Sequence, residues 1–442
     1  MGASLAQFTR KRQRGAGSII RAFTFHVSRL TLPLVPNIYL DHQAATPLAP
    51  EVFEAMRPFF TEQFGNASSL HQHGLAARDA LAQARGQVAK FIHAESPEDI
   101  LFTSDGTESV NLAIKGAAWA NQRRGNHLVV SATEHPAVLE SVAFLEAQGF
   151  TSTKVGVDAQ GRVDPEAVRA ALTEKTILIA VHHANHDLGT IQPIREIGEL
   201  AAERGITFFV DAEASAGWLP IDVQELGASL LSFSPHRFHG PKGVGVLYRN
   251  RRARVTSLIH GGSQEGGRRA GIENVPAIVG AGVACELAGR TLAGRAEHAA
   301  KLQNKLWDGL SKRVALVKLN GPPPGPGRLP NNLHVSFEFV EGEGLLLMLD
   351  AQGIAVASGT SCVSKALKVS PVLAAIGLNH GLALGSILLT LGASNTEEEM
   401  ESVLATLPKV VSKLRGMSPM WDEYQRGAVD SVLEPRRRTE AK

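Results

Sequence analysis

The stretch "DILFTSDGTESVNLAIKGAAWA", residues 99–120, indicates the fold class of this protein. Its first part contains a short apolar run, ILFT, of the length of a buried strand, and its second part carries apolar residues at helical spacing. Small residues and a glycine, Ser104, Asp105 and Gly106, separate the two parts. A strand that passes into a helix through so short a turn is typical of α/β proteins.

The same alternation continues along the chain. Stretches such as IREIGELAAERG predict helices, and this one ends on a glycine at the expected C-terminal position. Between the helices, apolar runs predict buried strands: HLVVSAT, TILIAVHHA, ITFFVDA and SLLSFS. Because such strands are apolar almost throughout, we expect an α/β fold with a mostly parallel sheet covered by helices on both faces.

A proline- and glycine-rich segment, NGPPPGPGRLPNN (320–332), interrupts this pattern. The runs LHVSFEF, IAVAS and SILLTLG follow it, with helices between them, and predict a smaller α+β domain. The sequence therefore predicts four regions: a basic extension over 1–36, a large domain over 37–300, a small domain over 301–430 and a charged tail over 431–442.

The composition is that of a globular protein of enzyme size, with 442 residues, 44% hydrophobic and 20% charged. A net charge of +2 argues against the dominant basic face of a nucleic-acid-binding protein. The only two cysteines, Cys285 and Cys362, lie far apart, which argues against a disulfide framework and for a reducing compartment. No continuous apolar run reaches the roughly 18–20 residues of a membrane span, so we expect no membrane partner.

The first 36 residues differ from the rest of the chain. Six arginines and lysines occur before the first acid, Asp41. This composition is typical of an organelle transit peptide, and it is equally that of a disordered basic tail of a bacterial protein. The first interpretation places the protein in the mitochondrial or another organelle matrix, and the second places it in the cytoplasm.

Polar and titratable residues follow five of the predicted strands. In chain order they are Ser104 to Thr107, Glu134 with His135, Asn185, Asp211, and Pro235 to Arg237. In an open α/β sheet, ligands bind beyond the carboxyl ends of the strands, so we expect these residues to share one site. The turn at Gly106 suits an anion, because a helix N-terminus favours negative charge, although a simple N-cap has the same appearance.

Several motifs that contain these residues resemble those of the cysteine desulfurases, in the class V aminotransferase group. They extend from about residue 39 to about residue 430: FGNASSLHQHG, FTSDGTES, TEHPAVLES, GTIQPI, GPKGVGVLY and ASGTSCVS. The resemblance implies the pyridoxal-phosphate-dependent transferase fold type I. It also implies pyridoxal phosphate as cofactor, a role in sulfur transfer and iron–sulfur cluster assembly, and a dimer.

The resemblance assigns roles to individual residues at matching positions. His135 would stack on the pyridine ring, Asp211 would pair with the protonated ring nitrogen, and Asn185 would contact the ring and the substrate. Three hydroxyl or imidazole side chains would hold the cofactor phosphate: Thr107, Ser234 and His236.

The two cysteines receive different interpretations. Cys362, in the Gly/Ser-rich motif ASGTSCVS, would be the nucleophile that takes sulfur from the substrate as a persulfide; the alternative is a small buried hydrophobe. Cys285, in GAGVACELAG, is expected in the core.

The C-terminal segment also has two interpretations. LRGMSPMWDEYQRG resembles the tail with which these enzymes dock the scaffold protein for iron–sulfur cluster assembly. The alternative is an ordinary amphipathic helix that places Met417, Trp421 and Tyr424 in the core.

The sequence departs from the family pattern at the position of the catalytic lysine, where it has Arg237. A guanidinium stays protonated and its nitrogens are delocalised. Arg237 therefore cannot form the Schiff base, and it cannot take a proton from the substrate carbon and return it. Lys242 is the nearest amine in the sequence, but the family carries a lysine there as well as the catalytic one.

Three further departures concern the same site. Ala214 replaces a glutamine that donates to the cofactor's phenolic oxygen, and Leu388 replaces the arginine that binds the substrate carboxylate. Ile272 replaces a threonine that reaches the phosphate of the neighbouring subunit. Loss of a bidentate carboxylate contact alone costs about 1.5–3 kcal/mol. Milder departures are Asp105, Val110 and Trp218.

Together these departures predict a catalytically degenerate, cysteine desulfurase-like protein. We expect it to act as a scaffold or regulatory partner, as a homodimer or as a heterodimer with an active relative. Covalent attachment of pyridoxal phosphate is not expected. Two alternatives are an active desulfurase that holds the cofactor non-covalently and a carrier that receives persulfide sulfur on Cys362. No metal site is predicted.

Overall fold

A computed structural model describes residues 38–358 and 369–434 of the chain. Its strands are β1 (Ile38–Leu40), β2 (Ile100–Thr103), β3 (His127–Ser131), β4 (Thr151–Val155), β5 (Thr176–His182), β6 (Thr207–Asp211), β7 (Leu230–Phe233), β8 (Gly245–Arg249), β9 (Val317–Leu319), β10 (Asn332–Phe337), β11 (Ile354–Ser358) and β12 (Ser386–Thr390). Its helices are α1 (Pro50–Met56), α2 (Pro58–Thr61), α3 (Gln72–Phe91), α4 (Gly106–Asn121), α5 (Pro136–Glu146), α6 (Pro165–Ala171), α7 (Ile194–Arg204), α8 (Gln264–Gly267), α9 (Val275–Arg313), α10 (Gly342–Asp350), α11 (Pro371–Ala375), α12 (His380–Leu384), α13 (Glu397–Arg415) and α14 (Pro419–Gln425).

The larger sheet has seven strands in the order β2-β8-β7-β6-β5-β3-β4. The pairs from β7 to β4 are parallel, whereas β8 is antiparallel to both of its neighbours, β7 and β2. The other six strands therefore run in one direction, and their carboxyl ends meet at one edge. This confirms the predicted mostly parallel sheet.

Both faces of this sheet are buried. On β6, Phe208 and Val210 belong to one hydrophobic core, and Phe209 between them belongs to the core on the opposite face. Helices α3, α7 and α9 contribute to the first core, and α4 and α5 to the second. Burial on both faces explains why the strands are apolar at consecutive positions rather than at alternate ones.

The ends of the predicted helices follow from local chemistry. Helix α4 begins at Gly106, after the N-cap Asp105, whose Oδ1 accepts the backbone N–H of Glu108 at 2.7 Å. Helix α7 ends at Gly205, which has the left-handed conformation (φ 59°) that favours glycine. The predicted end of this helix is therefore confirmed.

The smaller sheet has five strands in the order β1-β11-β12-β10-β9. Its strands β10, β11 and β12 confirm the three apolar runs predicted after the Pro/Gly segment. The N-terminal strand β1 pairs with β11 in parallel, so residues from the beginning of the described chain complete this C-terminal sheet. Helix α9 spans residue 300, where the sequence analysis places a boundary; the predicted domain division itself stays a prediction.

Helix α9 is long and apolar enough to cross a membrane, judged by length and composition alone. Half of its most apolar window is buried within the protein, and the helix packs against α1, α3 and α13. These contacts are those of a core helix. Cys285 lies on its buried side, which confirms the predicted core position, and burial raises the pKa of its thiol.

The C-terminal segment departs from one of its two interpretations, that of an amphipathic helix with Met417, Trp421 and Tyr424 in the core. Met417 lies in the turn before α14 and is 71% exposed, so its predicted core position is wrong. Trp421 and Tyr424 are half-buried, with ring centroids 5.8 and 5.1 Å from that of Phe339. Helix α14 has only seven residues, and none of them is fully buried.

Candidate active site

A cavity of about 220 Å³ lies at the edge where the strands of the larger sheet end. It collects most of the residues that the sequence analysis assigns to a shared site. Those that line it are Thr107, His135, Asp211, Ala214, Ser234, His236 and Arg237. They come from the ends of β2, β3, β6 and β7, because these strands run in one direction and their loops meet.

Other predicted residues lie outside the cavity. Asn185 is fully buried, donates to the carbonyl oxygen of Thr133 at 3.1 Å, and accepts the N–H groups of Asp187 and Leu188 at 3.0 and 2.8 Å. Its amide thus stabilises the turn after β5, and Ala184 lines the cavity in its place.

Two more predicted residues do not line the cavity, and a third lies outside the described residues. Leu388 is buried in β12 opposite His334 and Ala357, and it does not line the cavity. Ile272 is 69% exposed on this chain, which is compatible with the assignment of its position to the phosphate site of a neighbouring subunit. Cys362 lies outside the described residues.

Arg237 lies in the short turn that follows β7 and faces the cavity. Its Nη1 donates to the carbonyl oxygen of Gln43, and its Nε is buried without a partner among the described residues. Thr46 stabilises the turn, because its hydroxyl donates to the carbonyl oxygen of His236 at 2.8 Å and accepts the N–H of His239 at 2.7 Å. The guanidinium is therefore anchored in the cavity wall.

Neither Lys242 nor any other described lysine lines this cavity. The Lys242 residue is exposed. Arg237, rather than a lysine, therefore contributes to the lining of this cavity.

His135 and Asp211 offer contacts for a flat, nitrogen-containing ring. His135 Nδ1 accepts the N–H of Ala137 at 3.1 Å and thereby caps α5. Burial, aided by the neighbouring His186, lowers the pKa of His135 to about 4, so the ring is neutral at pH 7. Burial also raises the pKa of Asp211, at the end of β6.

The region around Ser234 and His236 is rich in polar groups with few partners. Burial, together with the positive charge of Arg237, lowers the pKa of His236 to about 4. The hydroxyl of Ser234 is buried and has no hydrogen-bond partner of good geometry among the described residues. Such groups are normally satisfied by a ligand, water or another side chain.

Glu213 is a cavity residue that the sequence analysis missed. Its carboxyl group lies against the backbone of Gly106, since a Cβ added to that glycine would lie 2.5 Å from Cδ and 2.8 Å from Oε2 of Glu213. Burial, reinforced by the charge of Asp211, raises the pKa of Glu213 to about 8, although Arg237 and Ser234 both lower it. The one available signal was an acid two residues beyond a strand-terminal acid, at the edge that collects the site.

A second missed feature is a buried pair behind the cavity. His182, a lining residue at the end of β5, and Glu134 approach to 2.8 Å between Nδ1 and Oε1. The same Oε1 also accepts the backbone N–H of His182 at 2.8 Å. This pair joins the ends of β3 and β5. Within the described ranges, no group of three or more His, Cys, Asp or Glu side chains is arranged to hold a metal ion.

Comparisons with known proteins place these features in a family. A family model described as "Aminotransferase class-V" matches residues 38–403. A Clostridium botulinum protein named "Cysteine desulfurase IscS" is 47% identical over 390 residues, which cover 88% of this chain and 98% of the relative. A Methanosarcina thermophila protein of the same name is 48% identical over 383 residues, which cover 87% and 94%.

The solved structures agree with this assignment. A "NifS-like protein" superposes with a TM-score of 0.80 at 36% identity, and the match covers 86% of this chain and 100% of that one. The architecture is the pyridoxal-phosphate-dependent transferase fold type I predicted from the sequence. The chain therefore belongs to the class V aminotransferase family, a family dependent on pyridoxal phosphate, and its relatives include cysteine desulfurases.

Proposed function

We propose that this chain is a catalytically degenerate, cysteine desulfurase-like protein that serves sulfur transfer or iron–sulfur cluster assembly as a scaffold or regulatory partner. One observation carries the proposal: the cavity contains Arg237 at the strand-end turn, and no described lysine lines it. The relatives are named cysteine desulfurases, and this name supplies the reaction class. The cavity of this chain has no lysine among the described residues of its lining, which argues against that reaction here.

The chemistry of Arg237 supports this proposal. Desulfurase chemistry in this family needs an amine that attaches the cofactor covalently and then moves a proton at the substrate carbon. A guanidinium does neither, and Arg237 is also engaged with the carbonyl oxygen of Gln43. His135 and Asp211 still suit the cofactor ring, so Arg237 removes covalent attachment and proton transfer but leaves these two ring contacts.

Two apolar residues add to the loss. Ala214 lines the cavity without a polar group, and Leu388 contributes no charge for a substrate carboxylate. An unpaired carboxylate in such a cavity would lose about 1.5–3 kcal/mol of charge-assisted hydrogen bonding. The loss at Leu388 would thus weaken substrate binding, and the loss at Arg237 would separately weaken the chemical steps.

The partner part of the proposal concerns the C-terminal segment. Met417 and Met420, 71% and 51% exposed, border a cavity of about 630 Å³ that is also lined by Phe339 and Val432. Exposed methionines beside an apolar cavity favour protein contacts, since Met adapts its shape to a partner. We propose this surface for an iron–sulfur scaffold protein, on a chain that forms homodimers or pairs with an active relative.

The proposal is tested by sulfide release from cysteine. The full chain is incubated with pyridoxal phosphate and cysteine, and the 47%-identical Clostridium botulinum relative is assayed in parallel as the positive control. We expect sulfide at the level of the protein-free blank. Sustained turnover would overturn the proposal and favour the alternative of a non-covalently held cofactor.

Two further measurements extend this test. Arg237→Lys alone should recover cofactor attachment weakly and turnover barely, because Leu388 still leaves the substrate carboxylate unpaired. Mass spectrometry after incubation with an active desulfurase should find Cys362 unmodified. A persulfide on Cys362 would replace the scaffold proposal with that of a sulfur carrier.

A further inference from the structure

The start of helix α4 is built to receive a negative or hydrogen-bonding group. The N-terminus of this 16-residue helix carries a partial positive charge, and the Arg237 guanidinium lines the same cavity. The buried hydroxyl of Ser234 points to the same region without a partner of good geometry. Three kinds of donor therefore converge on one small volume.

The Glu213 carboxyl group lies in that volume. It rests on Gly106, the first residue of α4, so closely that no side chain could be accommodated there. Its Oε1 is buried without a hydrogen-bond partner of good geometry, yet the group is near enough to Ser234 and Arg237 for both to lower its pKa. Gly106, Ser234 and Arg237 thus surround one carboxyl group.

We infer that Glu213 is an internal occupant of the phosphate position and excludes phosphate-bearing ligands from the cavity. This inference deepens the proposed function, on which it rests for the identity of the site. The residues fit the ring of pyridoxal phosphate at His135 and Asp211. They do not fit its phosphate, because the carboxyl group of the chain takes its place.

The exclusion does not depend on the charge of Glu213. With a pKa near 8, the carboxyl is mostly protonated at pH 7 and blocks the position by its volume. Above pH 8 it becomes an anion and also repels phosphate. Asp105, the N-cap of α4, adds a second carboxylate that already accepts the Glu108 N–H and lies beside the same turn.

A set of variants at position 213 distinguishes the effect of the carboxyl group's volume from the effect of its charge. Glu213→Ala removes the carboxyl group, Glu213→Gln keeps its volume without the charge, and Glu213→Ser is the replacement if the alanine variant does not fold. Glu174→Ala, at an exposed position, is the matched control for loss of one acid. Three probes separate the ligand sources: inorganic phosphate, pyridoxal phosphate, and pyridoxal without phosphate.

Binding to each full-length variant is measured by isothermal titration calorimetry at pH 7. For Glu213→Ala we expect affinities for phosphate and pyridoxal phosphate about tenfold or more above those of the wild type, and unchanged affinity for pyridoxal. Glu213→Gln and Glu174→Ala should resemble the wild type. Equal phosphate affinity of the wild type and a folded Glu213→Ala or Glu213→Ser variant would overturn the inference.

The outcomes separate this inference from the proposed function. Tight phosphate binding by the wild type, without sulfide release, contradicts the role of Glu213 and leaves catalytic degeneracy intact. Sulfide release by the wild type contradicts degeneracy, whatever the titrations give.

Discussion

Glu213 and Arg237 are the two residues that most change the chemistry of the cavity. Glu213 places a carboxyl group against the start of α4, and Arg237 carries a guanidinium in the turn after β7. Neither has a full set of hydrogen bonds, since Glu213 Oε1 and Arg237 Nε both lack partners of good geometry among the described residues. Buried groups of this kind cost stability and stay only where the surrounding structure holds them.

The raised pKa of Glu213 predicts how the stability of the protein depends on pH. The pKa of Glu213 rises from 4.5 to about 8 on folding, so between these values the folded state binds one proton more than the unfolded state. The free energy of unfolding should therefore fall as pH rises from about 4.5 to 8, with a slope of at most about 1.4 kcal/mol per pH unit from this group. The charged groups that act on Glu213 are Asp211, Asp105 and Arg237.

Urea denaturation of wild type and Glu213→Gln at pH 5, 6.5 and 8 measures this effect. Glutamine does not titrate, so its stability advantage over the wild type should grow with pH. Glu174→Gln, at an exposed position, should show a constant difference. A constant difference for Glu213→Gln as well would contradict the assigned environment of its carboxyl group.

At the scale of elements, the junction of β2, α4 and the turn after β6 defines the site. Helix α4 begins at a glycine because the Glu213 carboxyl group lies where a side chain would project. The N-cap Asp105 fixes the start of the helix, and the N–H of Glu213 donates to Asp211 Oδ1 at 2.9 Å and fixes the turn opposite. Helix and turn are therefore coupled through one contact.

A double-mutant cycle of Gly106→Ala and Glu213→Ala measures this coupling. Gly106→Ala alone should destabilise the protein by about 1–3 kcal/mol, because the new Cβ collides with the carboxyl group. In the Glu213→Ala background the same change should be neutral or stabilising, since alanine favours a helix over glycine. The coupling energy should thus be at least about 1 kcal/mol by thermal or urea denaturation.

The control for this cycle is Gly86→Ala. Gly86 lies in α3 with no atom within 4 Å of an added Cβ, so the substitution should stabilise both backgrounds equally. Additive effects at Gly106 and Glu213, within about 0.5 kcal/mol, would show that the two groups do not touch.

The sequence predicted the elements well because burial on both faces of a sheet leaves unmistakable apolar runs. It predicted the cavity for the same reason, since residues after parallel strands meet at one edge. It missed Glu213, because the direction of a side chain in a turn depends on turn geometry and not on periodicity. Asn185 shows the converse: it follows a strand as expected, yet its amide is used inside the turn.

In the whole molecule, the cavity and the surface proposed for a partner lie beside different sheets. The cavity belongs to the seven-stranded sheet, whereas the exposed Met417 and Met420 lie beside elements of the five-stranded one. Each sheet has a hydrophobic core of its own, with Phe208 in that of the larger sheet and Leu389 in that of the smaller one. The proposed loss of the reaction is therefore compatible with the proposed use of the methionine surface for a partner.

Borohydride reduction followed by intact-mass measurement shows whether this chain attaches pyridoxal phosphate covalently. The full chain is incubated with pyridoxal phosphate and reduced, beside the 48%-identical Methanosarcina thermophila relative as a positive control. A cofactor attached through an amine of the active site becomes a permanent mass increase on that residue. Degeneracy predicts no stoichiometric addition at any single residue of this chain, and addition of one pyridoxyl phosphate group per chain at one lysine would contradict it.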